Sequence, residues 1–208
     1  ATRNRVAFRK AILSQTAQAL NVLLSTSSDS GEKSSGTAVA SSDVLVVMSA
    51  VSGATASAME SDVELRVQGL NITQKVLQSV KEGGGIVSSE TTSLVIGTCS
   101  NTLNGLSAAS GAAAINDVAT YVSANESEGL NATQLAQQET ERQRASLARS
   151  REVTDQVKST LASLRDAVMI NAVAGEEALA IATTDLSVTI QKVPKRTDLM
   201  VTNSTSSY

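Results

Sequence analysis

A single proline stands in a chain of 208 residues. Proline ends helices more reliably than any other residue, because it lacks the backbone N–H and its ring clashes with the preceding turn. An ordinary chain carries about 5% proline. Here alanine, the strongest helix former, fills 29 positions and serine fills 30. Little in this chain stops a helix, and the composition leans strongly helical. Hydrophobic residues make up 41% and charged residues 18%, which is enough for a packed core in one ordinary domain.

The apolar periodicity agrees. Residues 4 to 25 carry Val6, Leu13, Ala17, Leu20 and Leu24 on one stripe, as an amphipathic helix does. Residues 25 to 42 turn polar and Gly/Ser-rich and read as a loop. Asp43 is the expected N-cap of a second helix with Val44, Val47, Met48 and Val51 inward, fraying over residues 52 to 58. Ser61 and Glu64 have the spacing of a capping box, opening a helix through Leu65, Ile72, Val76 and Val80. Gly83-Gly84-Gly85 stops it. Ser89 or Glu90 starts another helix through Leu94 to Leu106, weakened by Gly105 and residues 107 to 111, with a short Ala-rich helix near 112 to 123. Residues 131 to 174 form the longest helical pattern. Its first half has no apolar face and should project into solvent, whereas Val153, Val157, Leu161, Leu164 and Val168 make its second half a packing stripe.

At Gly175 the period changes to two. Leu186, Val188 and Ile190 alternate with polar residues as a half-buried strand does, residues 177 to 183 read as its partner, and Thr184-Asp185 sits at the turn. Two strands alone are marginal in water, so they are expected to open a larger β structure. The fold expected is mainly α: an irregular bundle of about five or six helices over residues 1–174, followed by a C-terminal β-hairpin over 175–208 that begins a β-rich subdomain. The chain opens on Ala1-Thr2-Arg3-Asn4 and ends in a polar tail, and it reads as an internal piece of a longer protein.

Several function classes lack the residues they need. With no histidine, neither a Ser-His-Asp nor a Cys-His pair exists, and a His-ligated metal site cannot form. The lone Cys99 builds neither a structural zinc site nor an intrachain disulfide. It lies in an apolar helical pattern and reads as a buried, inert thiol, or as a partner for a cysteine outside the chain in an extracellular setting. The aromatic residues are Phe8, Tyr121 and Tyr208, too few for a stacking reader of single strands. Net charge −3 supplies no general pull on nucleic acid or acidic lipid. The best apolar run, Val44 to Met48, is far too short to cross a membrane. No enzyme, no cofactor and no metal is expected.

The remaining motifs have simple readings. The triple glycine lacks the Lys-Ser/Thr and the preceding strand of a phosphate-binding loop. Glu176 and Glu177 are neighbours on a turn or strand and do not converge. Arg142, Arg144, Arg149 and Arg151 alternate with Glu139, Glu141, Glu152 and Asp155, and read as a solvated helix face with an expected Arg151–Asp155 pair. Four N-x-S/T sequons occur, at Asn71, Asn125, Asn131 and Asn203, where chance would supply about two or three. Asn125 and Asn131 fall in the most loop-like stretch and suit a glycan, whereas Asn71 lies inside an expected helix.

The order of segments, and above all residues 161 to 192, carries a resemblance. A helix with Leu161, Leu164 and Ala167 is followed by Gly175-Glu176, then Ile181-Ala182-Thr183, then Leu186-Ser187-Val188-Thr189-Ile190-Gln191-Lys192. This resembles the extracellular stretch of polycystin-1-like proteins and the sea-urchin receptor for egg jelly, between the egg-jelly-receptor module and the proteolysis site before the first membrane span. It is also similar to the helical half of the autoproteolysis-inducing domain of adhesion receptors. The resemblance implies a non-enzymatic structural or adhesion segment of a large membrane receptor on the extracellular side of a plasma or ciliary membrane, with protein partners such as a polycystin-2-like channel. The family's cleavage motif, with its flanking cysteines and tryptophans, is absent from these residues, so no catalytic residue carries over. The rival expectation is an intracellular helical scaffold or coiled-coil assembly protein, suited by the charge over residues 137 to 152 and the stripe from Val153 to Val168.

Overall fold

The computed structural model describes residues 2–26, 40–57, 63–123, 132–183 and 186–193. They form five helices, α1 (Thr2–Thr26), α2 (Ser41–Thr55), α3 (Val63–Glu82), α4 (Ser89–Ser123) and α5 (Ala132–Asn171), and the strands β1 (Leu179–Ala182) and β2 (Ser187–Ile190). The chain is mainly helical with a C-terminal antiparallel hairpin, as its periodicities predict.

Cross-links fix how the helices run. Arg9 on α1 donates to the carbonyls of Gly53 and Ala54 at the end of α2, each at 3.0 Å. Lys10 pairs with Glu64 at the start of α3 at 3.5 Å. These three helix ends therefore meet at one end of the bundle. Helices α3 and α5 run parallel and in step: Gln156 donates to Asn71, Lys81 pairs with Asp166, and Asn171 donates to the carbonyl of Gly85 at 3.1 Å. Helix α4 returns antiparallel to α3, with Gly105 opposite Arg66.

The α3–α4 reversal follows from the glycines. Gly84 has φ +65°, a conformation open to glycine at little cost. Gly85 N–H then reaches back to Val80 O at 2.9 Å and Gly84 N–H to Lys81 O at 3.5 Å, which satisfies carbonyls at the helix end. The cap of α4 is Ser88, whose Oγ accepts from Thr91 N–H at 3.1 Å.

Three local expectations differ from the structure. Helix α2 starts after Ala40 rather than at an Asp43 cap; Asp43 lies in the first turn, where its charge suits the helix N-terminus. The same helix stays regular through Thr55, held by the buried Thr55 hydroxyl on Val51 O and by Arg9 on its last carbonyls. Helix α4 is one element of 35 residues, not two. A glycine inside a helix costs only about 1 kcal/mol relative to alanine, and the alanines around 108 to 114 favour the helix. The expected cap at Ser61 and the turn at Thr184-Asp185 lie outside the described residues.

The core needs no aromatic rings. Leu13 and Leu20 from α1, Met48 and Val51 from α2, Leu65, Ile72, Val76, Leu77 and Val80 from α3, Val95 and Ile96 from α4, and Leu164 from α5 form one buried cluster. A second joins Leu70, Cys99, Val153 and Val157. Threonines fill the remaining seams. The hydroxyls of Thr55, Thr73, Thr92, Thr98, Thr102 and Thr160 each donate to the carbonyl four residues earlier. Each buried hydroxyl is thereby satisfied within its own helix.

The hairpin pairs Leu179 with Ile190 and Ala182 with Ser187. Its inward residues Ile181, Val188 and Ile190 pack on the helical core, which is what stabilises two strands that would be marginal alone. Lys192 Nζ donates to Ala172 O at 2.9 Å and so caps the end of α5. Glu176 accepts from Val173 N–H through its carboxylate, a turn role rather than a converging acid pair.

Candidate functional site

The sequons scatter. Asn71 lies on the exposed side of α3, and its carbonyl oxygen accepts from Gln156 of α5. The hydroxyl of its sequon partner Thr73 is buried and donates to Gly69 O at 2.9 Å. Asn125, Asn131 and Asn203 lie outside the described residues; the first two belong to the connection between α4 and α5.

Cys99 is fully buried beside Leu70, Val153 and Val157. Desolvation pushes its thiol from 9.0 up to about 12, so it stays protonated and unreactive in the native state. The Asp166 carboxyl is held below its ordinary value, first by its hydrogen bond from Arg165 and further by the charges of Arg165 and Lys81. These are structural contacts on exposed side chains. Among the described residues no group of three or more His, Cys, Asp or Glu is arranged to hold a metal ion, and no helix is long and apolar enough to cross a membrane.

Sequence reasoning overlooks one buried charge. Arg66 is 1% exposed, although a charged side chain is expected at the surface. A β-carbon on Gly105 would lie 1.7 Å from its Cζ, so the guanidinium fills the space that Gly105 leaves open. The signal is visible in retrospect: Arg66 precedes the inward Thr73 and Val80 by seven and fourteen residues.

Among the described residues two open grooves stand out. One, of about 600 Å³, runs between α1 and α2 along Phe8, Ile12, Arg5, Arg9 and the small residues Ser49, Ala50, Gly53 and Ala54. The other, of about 610 Å³, lies where α5 passes the start of α3. Arg142, Ala145, Ser146, Arg149 and Ser150 form its wall, and Val63 and Leu106 its apolar floor. Beyond this point α4 continues from Leu106 to Ser123, about 26 Å of helix, and α5 extends back from Arg142 to Ala132, about 15 Å. Residues 137 to 149 of α5 are almost all exposed, as the missing apolar face predicts, whereas Val153, Val157 and Leu164 are buried. Asp155 pairs with Lys158 at 3.1 Å, not with Arg151.

No protein-family model, curated protein or solved structure matches this chain.

Proposed function

We propose that the chain is a non-enzymatic structural or adhesion segment of a large, polycystin-1-like membrane protein, lying on the extracellular side and serving as a helical spacer and packing platform. The observation that carries the spacer reading is the division of α5. One half is locked into the core through Val153, Val157 and Leu164, and residues 137 to 149 of the other half are almost all exposed. Such an element holds two regions of a protein at a set separation and needs no reacting group. The extracellular setting rests on the resemblance over residues 161 to 192 and on the sequons at Asn71, Asn125, Asn131 and Asn203. A polycystin-2-like channel is the protein partner that the same resemblance suggests.

The test is the intact mass of the natural protein before and after enzymatic removal of N-glycans, with peptides mapped around the four asparagines. A glycan at Asn125 or Asn131 is expected. The open, charged half of α5 favours a second reading, an intracellular scaffold that assembles through helix partnering. Unmodified asparagines at all four positions, in protein from a glycosylating host, would select that reading and overturn the first.

A further inference from the structure

Arg142, Ser146 and Arg149 continue, at helical steps of four and three, the stripe that Val153, Val157 and Leu164 bury. The packing face of α5 therefore does not end where the bundle ends. It changes chemistry there, from apolar to basic, and opens on the groove floored by Val63 and Leu106. Lys10, Lys81, Lys158 and Arg165 each pair with a carboxylate of this chain. Arg142 and Arg149 have no ion-pair partner among the described residues, although both line the same groove.

The geometry points to this groove as the docking site of an acidic peptide segment from a partner protein, with carboxylates on Arg142 and Arg149 and an apolar side chain between them on Val63 and Leu106. Seven residues separate the two arginines, about 10.5 Å along the helix, a spacing that carboxylates two turns apart on a partner helix match. The guanidinium fork takes a carboxylate through two parallel hydrogen bonds. Ser146 adds a donor between the charges and Ser150 another beside Arg149. The volume, about 610 Å³, suits a few side chains. The apolar floor favours a peptide over a sugar polyanion, which has no apolar group to place there. This inference is independent of the extracellular setting.

The test uses the full chain and a fluorescein-labelled helical peptide with two Glu seven residues apart and Leu between them, followed by fluorescence anisotropy. Saturable binding is expected. Arg142→Gln with Arg149→Gln should weaken it about tenfold, as two lost charge-assisted contacts would. The equally neutralised Arg144→Gln with Arg151→Gln, on other faces of α5, should change it less than about twofold. Circular dichroism confirms that both variants keep the fold. The proposal is overturned by no binding, or by equal losses in the two variants, which would mean diffuse charge attraction. Heparin binding as tight as the peptide's and lost in the first variant would make the groove a polyanion site instead. A dimer of the wild-type chain in sedimentation, dissolved by that variant, would make the occupant a second copy.

Discussion

The guanidinium of Arg66 occupies the space in which a β-carbon of Gly105 would stand, with Nη1 1.8 Å and Cζ 1.7 Å from that position. The two residues are complementary: a long buried charge on α3 and an absent side chain on α4. Placing alanine at 105 forces a fully buried side chain to move. Gly105→Ala should destabilise the protein by about 1–3 kcal/mol in urea unfolding, although alanine is otherwise the better helix former. With Arg66→Leu already in place, the same change should be neutral or stabilising by up to about 1 kcal/mol. Equal effects in both backgrounds would refute the pairing.

Gly53 and Gly84 respond oppositely to alanine. A β-carbon on Gly53 meets nothing within 4 Å, and the residue lies inside α2. Gly53→Ala should raise stability by up to about 1 kcal/mol. Gly84 also has open space, but its φ of +65° strains any side chain. Gly84→Ala should lower stability by about 1–2 kcal/mol. Paired chemical-denaturation midpoints distinguish the two, and a gain at Gly84 would refute the turn geometry.

Cys99 makes stability fall in alkali. Its native thiol is pushed up to about 12 from 9.0, so the native state keeps a proton that the unfolded chain releases above 9.0. The stabilisation is complete below pH 9 and is lost as pH rises towards 12, at about 1.4 kcal/mol per unit. Urea unfolding between pH 8.5 and 10.5 should show this slope as a difference between wild type and Cys99→Ala. A thiol reagent at pH 8 should label Cys99 only at the rate at which the protein opens.

Asp166 acts at the other end of the pH scale. Its carboxyl titrates below the ordinary 3.8, mainly through the Arg165 hydrogen bond. Its contribution is present above that ordinary value and is lost as pH falls through the native one. Carboxyl-carbon NMR should give a midpoint below 3.8, moving upward in Arg165→Gln more than in Lys81→Gln.

Much of this fold is legible in the sequence, because it is written in local periodicity. The hairpin is visible in the alternation Leu186, Val188, Ile190 and in the break at Gly175. The divided role of α5 is visible in the apolar stripe that starts only at Val153. Where local signals conflict, the sequence misleads. The glycines and serines from Gly105 to Gly111 suggest a break, yet α4 continues, since each such residue costs little inside a long helix. The buried Arg66 is illegible locally because its acceptance depends on a glycine 39 positions away in another helix. The groove was hidden for a similar reason. Arg142 and Arg149 look like any exposed cations until Val63 and Leu106 are placed beneath them. Among the sequons, the pattern at Asn71 is plain, whereas its link to Gln156 exists only in three dimensions.

The polar links between α3 and α5 are strung along the helix axes: Asn71 to Gln156, Lys81 to Asp166 and Gly85 to Asn171. Tension along those axes loads all three in shear at once, and sliding one helix past the other must break them together. A sideways pull peels them one after another. The α3–α5 pair is therefore mechanically anisotropic, stiffer against sliding along its axes than against being splayed sideways.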